Sequence, residues 1–426
     1  MNSQLKYIIP FIIIILFTFS SGCSNSSDVT TIRFWVFGAE GDIVEQLLPD
    51  FEREHPDIRV RVQKIPWTAA HEKLLTAYAS NSMPDVFQLG NTWIPEFHML
   101  NALEVIDLRV DTSDVIDIND YFEGIWVTNI IDGSLYGIPW YVDTRVLFYR
   151  KDILHDAGFS EPPRTWDELY ALSQRIKENA GREERYAMLL PTNEWVPPVL
   201  FGLQAGSTLL RDDGQYGNFS GDEFQTAFEY YTRYFHEGLA PVGITQVTNI
   251  YQGLTDGFFA MYITGPWNVG EFRRRLPAHM QDNWGTAPLP GPDGQTPGVS
   301  MAGGASLVMS SRSQYHEKSW RLIEFFSRPD IQIRFNQLSG NLPSRLSAWE
   351  ESGIKDDVHI RAFYEQLPHV VPLPQVPEWE QIALKIQQYA ELVSMKRMTV
   401  PEALSALDGE VDRILDKRRW ILSRTE

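Results

Sequence analysis

The run Thr31-Ile32-Arg33-Phe34-Trp35-Val36-Phe37-Gly38 opens the part of the chain that can fold. Ile32, Phe34 and Val36 alternate with Arg33, Trp35 and Phe37, which is a strand pattern, and Gly38 ends it. Asp42 is placed to cap a helix in which Ile43, Val44, Leu47, Leu48 and Phe51 form one apolar stripe. His55-Pro56-Asp57 stops that helix. Ile58, Val60 and Val62 then alternate with Arg59, Arg61 and Gln63, and Thr68 to Ala79 reads as a second helix. Met83-Pro84-Asp85 breaks it before a short strand, Val86 to Leu89, that ends at Gly90-Asn91-Thr92-Trp93. Strand, helix, strand, helix, strand predicts a parallel sheet with crossover connections.

A second informative stretch lies far downstream, at Met261-Tyr262-Ile263-Thr264-Gly265-Pro266-Trp267-Asn268. Phe258 to Ile263 is a short apolar run bounded by glycines and reads as a buried strand. Gly265-Pro266 stops it, because proline cannot donate to a ladder and glycine permits a sharp turn. Trp267 follows at once. In an open α/β sheet ligands bind outside the carboxyl ends of the strands, so Trp267 is either a lid on the core or a flat platform for a ligand. The 426 residues are too many for one core, so two lobes are expected.

Charge and cysteine usage narrow the function classes. A net charge of −19 leaves no basic stripe for phosphates, so nucleic acid is not a partner. The N-terminus carries Lys6, an apolar run from Tyr7 to Phe19, and the small residues Ser20-Ser21-Gly22 before Cys23. That run is too short to span a bilayer and reads as a secretory leader. Cys23 is the one cysteine of the chain, which excludes intrachain disulfides and thiolate metal sites. Its setting resembles a bacterial lipobox, with Ser20 where leucine is usual. The resemblance implies cleavage before Cys23 and lipidation of its sulfur, with 1–22 as leader and 23–30 as tether.

The motifs that follow in order carry a wider resemblance. Phe51-Glu52-Arg53-Glu54-His55-Pro56-Asp57-Ile58 and Ser82-Met83-Pro84-Asp85-Val86-Phe87 come first. Asp132-Gly133-Ser134-Leu135-Tyr136-Gly137-Ile138-Pro139-Trp140 runs into Leu147-Phe148-Tyr149-Arg150-Lys151-Asp152. Pro163-Arg164-Thr165-Trp166-Asp167-Glu168-Leu169 offers Thr165 as helix cap and Glu168 as the second half of a capping box. Gly265-Pro266-Trp267 and Ala302-Gly303-Gly304 complete the set. Together they resemble the family-one extracellular solute-binding proteins, the sugar receptors of ABC importers. The resemblance implies an α/β, two-lobed periplasmic-binding-protein fold of type II. Each lobe would hold a mainly parallel sheet flanked by helices, with the ligand cleft between lobes. The implied first lobe is 31–142 plus 287–345, and the second is 146–285 plus 346–426. Crossings are expected near 140–146 and 283–290, with helices near 166–178, 222–237, 357–366, 379–395 and 401–419. The proline-rich segment 368–377 is expected over the cleft mouth, bringing Trp379 near it.

Sugar rings have apolar C–H faces and hydroxyl rims. Flat aromatic rings suit the faces, and amides, carboxylates and guanidinium groups suit the rims. The candidate ligand residues are Trp35, Asn91, Trp93, Trp140, Asp143, Trp195, Trp267, Asn268, Gly303, Gly304, Asn341 and Trp379. A carbohydrate ligand, membrane permease subunits and a lipid anchor are the expected partners of a monomer in the cell envelope. No cofactor or metal is expected. No GxSxG, HExxH or phosphate-loop signature occurs, so no enzyme is expected. A carbohydrate-sensing lipoprotein without a transporter, and an exported glycoside-active enzyme, are the alternatives.

Overall fold

A computed structural model describes residues 29–181, 185–243, 249–294 and 297–424. The leader, Cys23 and most of the tether lie outside the described residues. Strand β1 (Thr30–Phe37) pairs in parallel with β2 (Ile58–Ile65) and with β3 (Val86–Gly90). Ile32, Phe34 and Val36 pack under helix α1 (Glu40–Glu54), and Trp35 and Phe37 face α2 (Trp67–Ala79). Both sides of β1 are therefore covered, which is why its alternation is only partial. β2 is the edge strand, and Arg59, Arg61, Gln63 and Lys64 line it in solvent. Asp42 is not the cap of α1. Gly38 turns the chain at φ +61°, so the helix begins at Glu40, with Ala39 at the N-cap and Asp42 inside the first turn.

The next strand, β4 (Gly137–Asp143), completes its run in the first sheet, and β5 (Val146–Arg150) begins in the second. The first crossing is thus only Thr144-Arg145. The second sheet adds β6 (Tyr186–Leu189), β7 (Phe259–Thr264) and β8 (Trp284–Ala287) in the order β8-β5-β7-β6. Trp284 to Ala287 pairs with β5, so the return crossing lies after this strand rather than within it. The short β9 (Ser300–Met301) belongs to that return and leads into β10 (Gly303–Met309). β11 (Leu342–Pro343) closes the first sheet in the order β11-β4-β10-β3-β1-β2. β12 (Val370–Val371) then pairs in parallel with β9 as a third crossing.

Strand directions follow from these crossings. β1, β2, β3 and β4 run toward one edge of their sheet, and β6, β7 and β8 do the same in theirs. β5 and β10 run the other way, because a strand that enters from a crossing starts at the shared edge. The apolar cores follow the lobes, except that one cluster joins them. It packs Val142, Leu342 and Trp349 with Val146, Phe148 and Trp284 beneath the crossings. The helix Leu346–Ser352 is tied to the first lobe, where the Ser347 amide donates to Asp120 at 2.7 Å. Helix α3 (Trp166–Ala180) starts where the sequence places it, with Thr165 accepting from the Glu168 amide at 3.0 Å. The Glu168 carboxylate receives the Arg164 amide instead of closing the box on Thr165. Helices α4 (Asp222–His236), α5 (Trp267–Arg275), α6 (His316–Ser327), α7 (Pro329–Ser339), α8 (Trp379–Ser394) and α9 (Val400–Ile414) complete the layers.

Candidate functional site

Strand register alone locates a site. β1, β2, β3 and β4 end at one edge of the first sheet, and β10 and β11 start there. That edge therefore gathers Glu40, Trp67, Asn91, Trp93, Asp143, Gly303, Gly304 and Asn341. In the second sheet β6 and β7 end where β5 starts, which gathers Glu194, Trp267 and Arg145. The crossing Thr144-Arg145 joins the two edges directly. The hydroxyl of buried Thr144 donates to Ser300 Oγ at 2.8 Å, and the Arg145 amide donates to the same oxygen at 3.2 Å. The Ala302 amide donates to the Val371 carbonyl at 2.8 Å, so all three crossings are stitched together.

The first-lobe wall is an aromatic group beside a held carboxylate. Trp67 is 37% exposed and meets Phe37 edge-on at 5.2 Å and Trp93 at 5.8 Å. Glu40 Oε1 accepts from the Tyr141 hydroxyl at 3.2 Å and the Asn341 amide at 3.1 Å. Gln88 donates to the same tyrosine oxygen at 2.9 Å while its carbonyl accepts from the Phe37 amide. Burial pushes the Tyr141 hydroxyl far above its usual range, and the Glu40 charge adds to the push. From the other lobe, Glu380 in α8 accepts from Thr92 Oγ1 at 2.9 Å. Burial holds the Glu380 carboxyl above the usual carboxylate range.

The second-lobe wall is built around Trp267, which is 46% exposed at the first position of α5. The Arg145 guanidinium lies 4.6 Å from its ring centroid and donates to Asp143 at 2.9 Å. Beyond them a cavity of about 220 Å³ is lined by Leu190, Asn193, Glu194, Ile250 and Tyr262 among others. Burial raises the Glu194 carboxyl, and Arg145 partly offsets it. Burial pushes the Tyr262 hydroxyl up to about 12. No cluster that could hold a metal ion occurs among the described residues.

The structure sorts the sequence candidates. Trp267, Trp93, Asp143, Asn341, Gly303 and Gly304 lie at the joined edges. The glycines are needed for close approach: a Cβ on Gly303 would fall 2.3 Å from Asp143 Oδ1, and one on Gly304 would fall 2.3 Å from the Tyr141 carbonyl. Trp140 must be corrected. It is 1% exposed, wedged among Phe34, Phe326 and Phe335, because both faces of β4 are covered. Trp379 must be corrected too. It is wholly buried in the second-lobe core, with Trp195 set edge-on against it at 5.7 Å. Trp195 is half-buried in that packing. Trp35 is buried against α2, with Lys73 over its ring. Asn91 donates to the Ala302 carbonyl at 2.9 Å, and Asn268 donates to Thr264 at 2.8 Å. These two buried amides brace backbone and helix from inside. The sequence reading missed Trp67, Glu40, Arg145, Glu194, Tyr262 and Glu380. Trp67 carried a usable signal, since Ile65-Pro66-Trp67 repeats the strand, proline, tryptophan order of Trp267. The four charged residues carried none.

Comparison with known proteins adds an independent line. Residues 38–333 match the family described as bacterial extracellular solute-binding protein. The structure of the sugar-binding protein MalE from Xanthomonas citri superposes with a TM-score of 0.89 at 48% identity, over 92% of this chain and 99% of that one. The diacetylchitobiose binding protein DasA of Streptomyces coelicolor is 26% identical over 403 residues, 91% of each chain. A solute-binding protein from Thermotoga lettingae bound with α-D-tagatose has a TM-score of 0.76 at 26% identity, over 91% of this chain and 100% of that one.

Proposed function

The chain belongs to the bacterial extracellular solute-binding protein family, and from that premise we propose that it is the sugar-binding receptor of an ABC importer. The observation that carries this reading is the pair of half-exposed indoles, Trp67 and Trp267, on the two joined sheet edges. Trp67 and the Glu40 carboxylate meet beside Gly38 in one lobe, and in the other Trp267 lies against Arg145, whose charge reaches the Glu194 carboxyl. Aromatic faces and carboxylate rims are what a pyranose ring needs. The sugars bound by similar proteins, diacetylchitobiose, a galactooligosaccharide, maltose and mannotriose among them, make an oligosaccharide the first ligand class to try. A thermal-shift panel of maltose, mannotriose, diacetylchitobiose and a galactooligosaccharide tests it. A sugar at 100 times its Kd should add about 2.7 kcal/mol. A panel without any shift would leave the reading unsupported.

Two lobes that each offer half a site favour the state in which both halves touch the ligand. Hinge closure about Thr144-Arg145 and its stitched neighbours is therefore part of the proposal. An unchanged radius of gyration at saturating sugar, by small-angle scattering, would count against it. The remaining parts are a monomer held to the membrane through lipidated Cys23 and delivery to permease subunits. Cys23→Ser should release the protein from the membrane fraction, and a variant that still sediments with membranes would remove the anchor from the proposal.

A further inference from the structure

We propose that Arg145 is a positioning residue of the sugar site, bridging Asp143 to the indole of Trp267 at the point where the chain crosses between lobes. The inference rests on the receptor reading above and extends it to a residue that neither touches a core nor heads an aromatic motif. Five contacts carry it. Its guanidinium donates to Asp143 at 2.9 Å, with both side chains mostly shielded from solvent. It lies 4.6 Å from the Trp267 centroid, where a cation is attracted by the ring face. Its amide donates to Ser300 Oγ, and its carbonyl accepts from the same hydroxyl at 3.1 Å. Both backbone polar groups of Arg145 are therefore fixed to the second crossing. Finally, Asp143 stands directly over Gly303, so its carboxylate has little freedom to move.

The consequence is a brace with a fixed root. Trp267 otherwise rests on its own turn, where Gly265 leaves room for the ring: a Cβ there would fall 2.1 Å from its benzo edge. Arg145 adds the contact from outside that turn. Any hinge motion at Thr144-Arg145 moves the root of the brace and so moves the platform. The same cation also acts on the cavity carboxylate. Among the described residues, the charged and titratable groups that act on Glu194 or feel its charge are Arg145 from the crossing, Tyr262 on β7 and Tyr231 on α4. Arg145 is the only cation among them, and its field favours the charged carboxylate that accepts from sugar hydroxyls.

The test uses the full-length protein and the panel sugar that shifts wild-type melting most, from maltose, mannotriose, diacetylchitobiose and a galactooligosaccharide. Arg145→Met should raise Kd about tenfold, the equivalent of ~1.4 kcal/mol, with apo melting near wild type. Arg145→Lys should recover part of that loss, because it restores the charge without the planar fork. Gly303→Ala, whose methyl displaces Asp143, should weaken binding by a separate route if the variant with methionine folds poorly. Sugar affinity should fall as pH drops and Glu194 takes up a proton. In Arg145→Met that fall should come at higher pH, which a merely structural role would not produce. An arm without sugar compares emission of wild type with Trp267→Phe, and Arg145→Met with the double variant. The Trp267 component should differ between the two pairs. Unchanged Kd, pH profile and Trp267 emission in Arg145→Met would overturn the proposal while leaving the receptor reading intact. Absence of binding to wild type by every sugar of the panel would remove both.

Discussion

The two sheet edges that form the cleft use one local device and brace it differently. In the first lobe β2 ends at Ile65, Pro66 follows, and Trp67 begins a helix. In the second, β7 ends at Thr264, Gly265-Pro266 follows, and Trp267 begins a helix. Proline fits just before a helix because the amide it lacks would have no partner there. Trp67 then joins an apolar group drawn from three strand ends, with Phe37, Trp93 and the ring of His71 at 5.1 Å from Trp93. Gly38 on the neighbouring turn leaves room for it. Among the described residues Trp267 has no such group. It is held by its own Gly265 and by one cation, Arg145. The first platform is therefore part of the fold, and the second is separable from it.

The sharpest way to break that contrast sets a core indole beside the second platform. Trp140→Ala should lower stability by roughly 3–5 kcal/mol, as expected for a buried aromatic that leaves a cavity. Trp267→Ala should melt near wild type without sugar yet lose about 2 kcal/mol of binding, around thirtyfold in Kd. Melting curves with and without sugar, for both variants, read out the two effects. A Trp267→Ala protein that melts far lower while keeping its affinity would return Trp267 to the core.

Trp67→Ala should fall between these. It loses two edge-on aromatic contacts, each worth about 0.5–1.5 kcal/mol beyond area, and it loses ligand area as well. Apo stability and affinity should both drop, unlike in Trp267→Ala. If apo melting of Trp67→Ala matches wild type, the two platforms are equally separable and the comparison fails.

The smallest effect is a difference in pH response between lobes. In the first lobe the hydrogen bond that the protonated His71 ring donates to the Glu96 carboxylate raises the His71 pKa above its ordinary value. That contribution is fully present below about 6.5 and is lost as pH rises through the raised value. In the second lobe burial, aided by Arg273, lowers His359 to about 4 where it stacks on Trp284 at 3.6 Å. There the unfolded chain takes up a proton first, so stability falls as pH drops from about 6.5 to 4. Both rings are partly exposed, so each slope should be well below ~1.36 kcal/mol per pH unit. Melting from pH 4 to 8 should show His359→Gln flattening the acid limb and His71→Gln flattening the alkaline one. A His359→Gln protein with an unchanged acid limb would remove the assignment.

Much of the fold was legible in the chain because it rests on local patterns. The alternation of Ile32, Phe34 and Val36, the breaks at His55-Pro56 and Met83-Pro84, and the cap at Thr165 each involve neighbours within a few residues. The site was legible where it coincides with such a break, as at Gly265-Pro266-Trp267 and Gly303-Gly304. Glu194 and Glu380 were not, because a carboxylate carries no periodic signature and acquires its role from residues far along the chain.

The sequence by itself determined the strand and helix order, the turns at strand ends and the family resemblance. These depend on side-chain period and on the fixed backbone preferences of glycine and proline. Only the tertiary structure decided which tryptophans face solvent. Trp140 lies in the middle of a strand covered on both faces, Trp379 starts a helix with its own ring turned into the core beside Ile382, and Trp67 and Trp267 project from sheet edges. The same structure brought Arg145 onto Trp267, 122 positions away in the chain. Burial and long-range pairing are properties of layers packed together, and no stretch of sequence contains more than one side of such a contact.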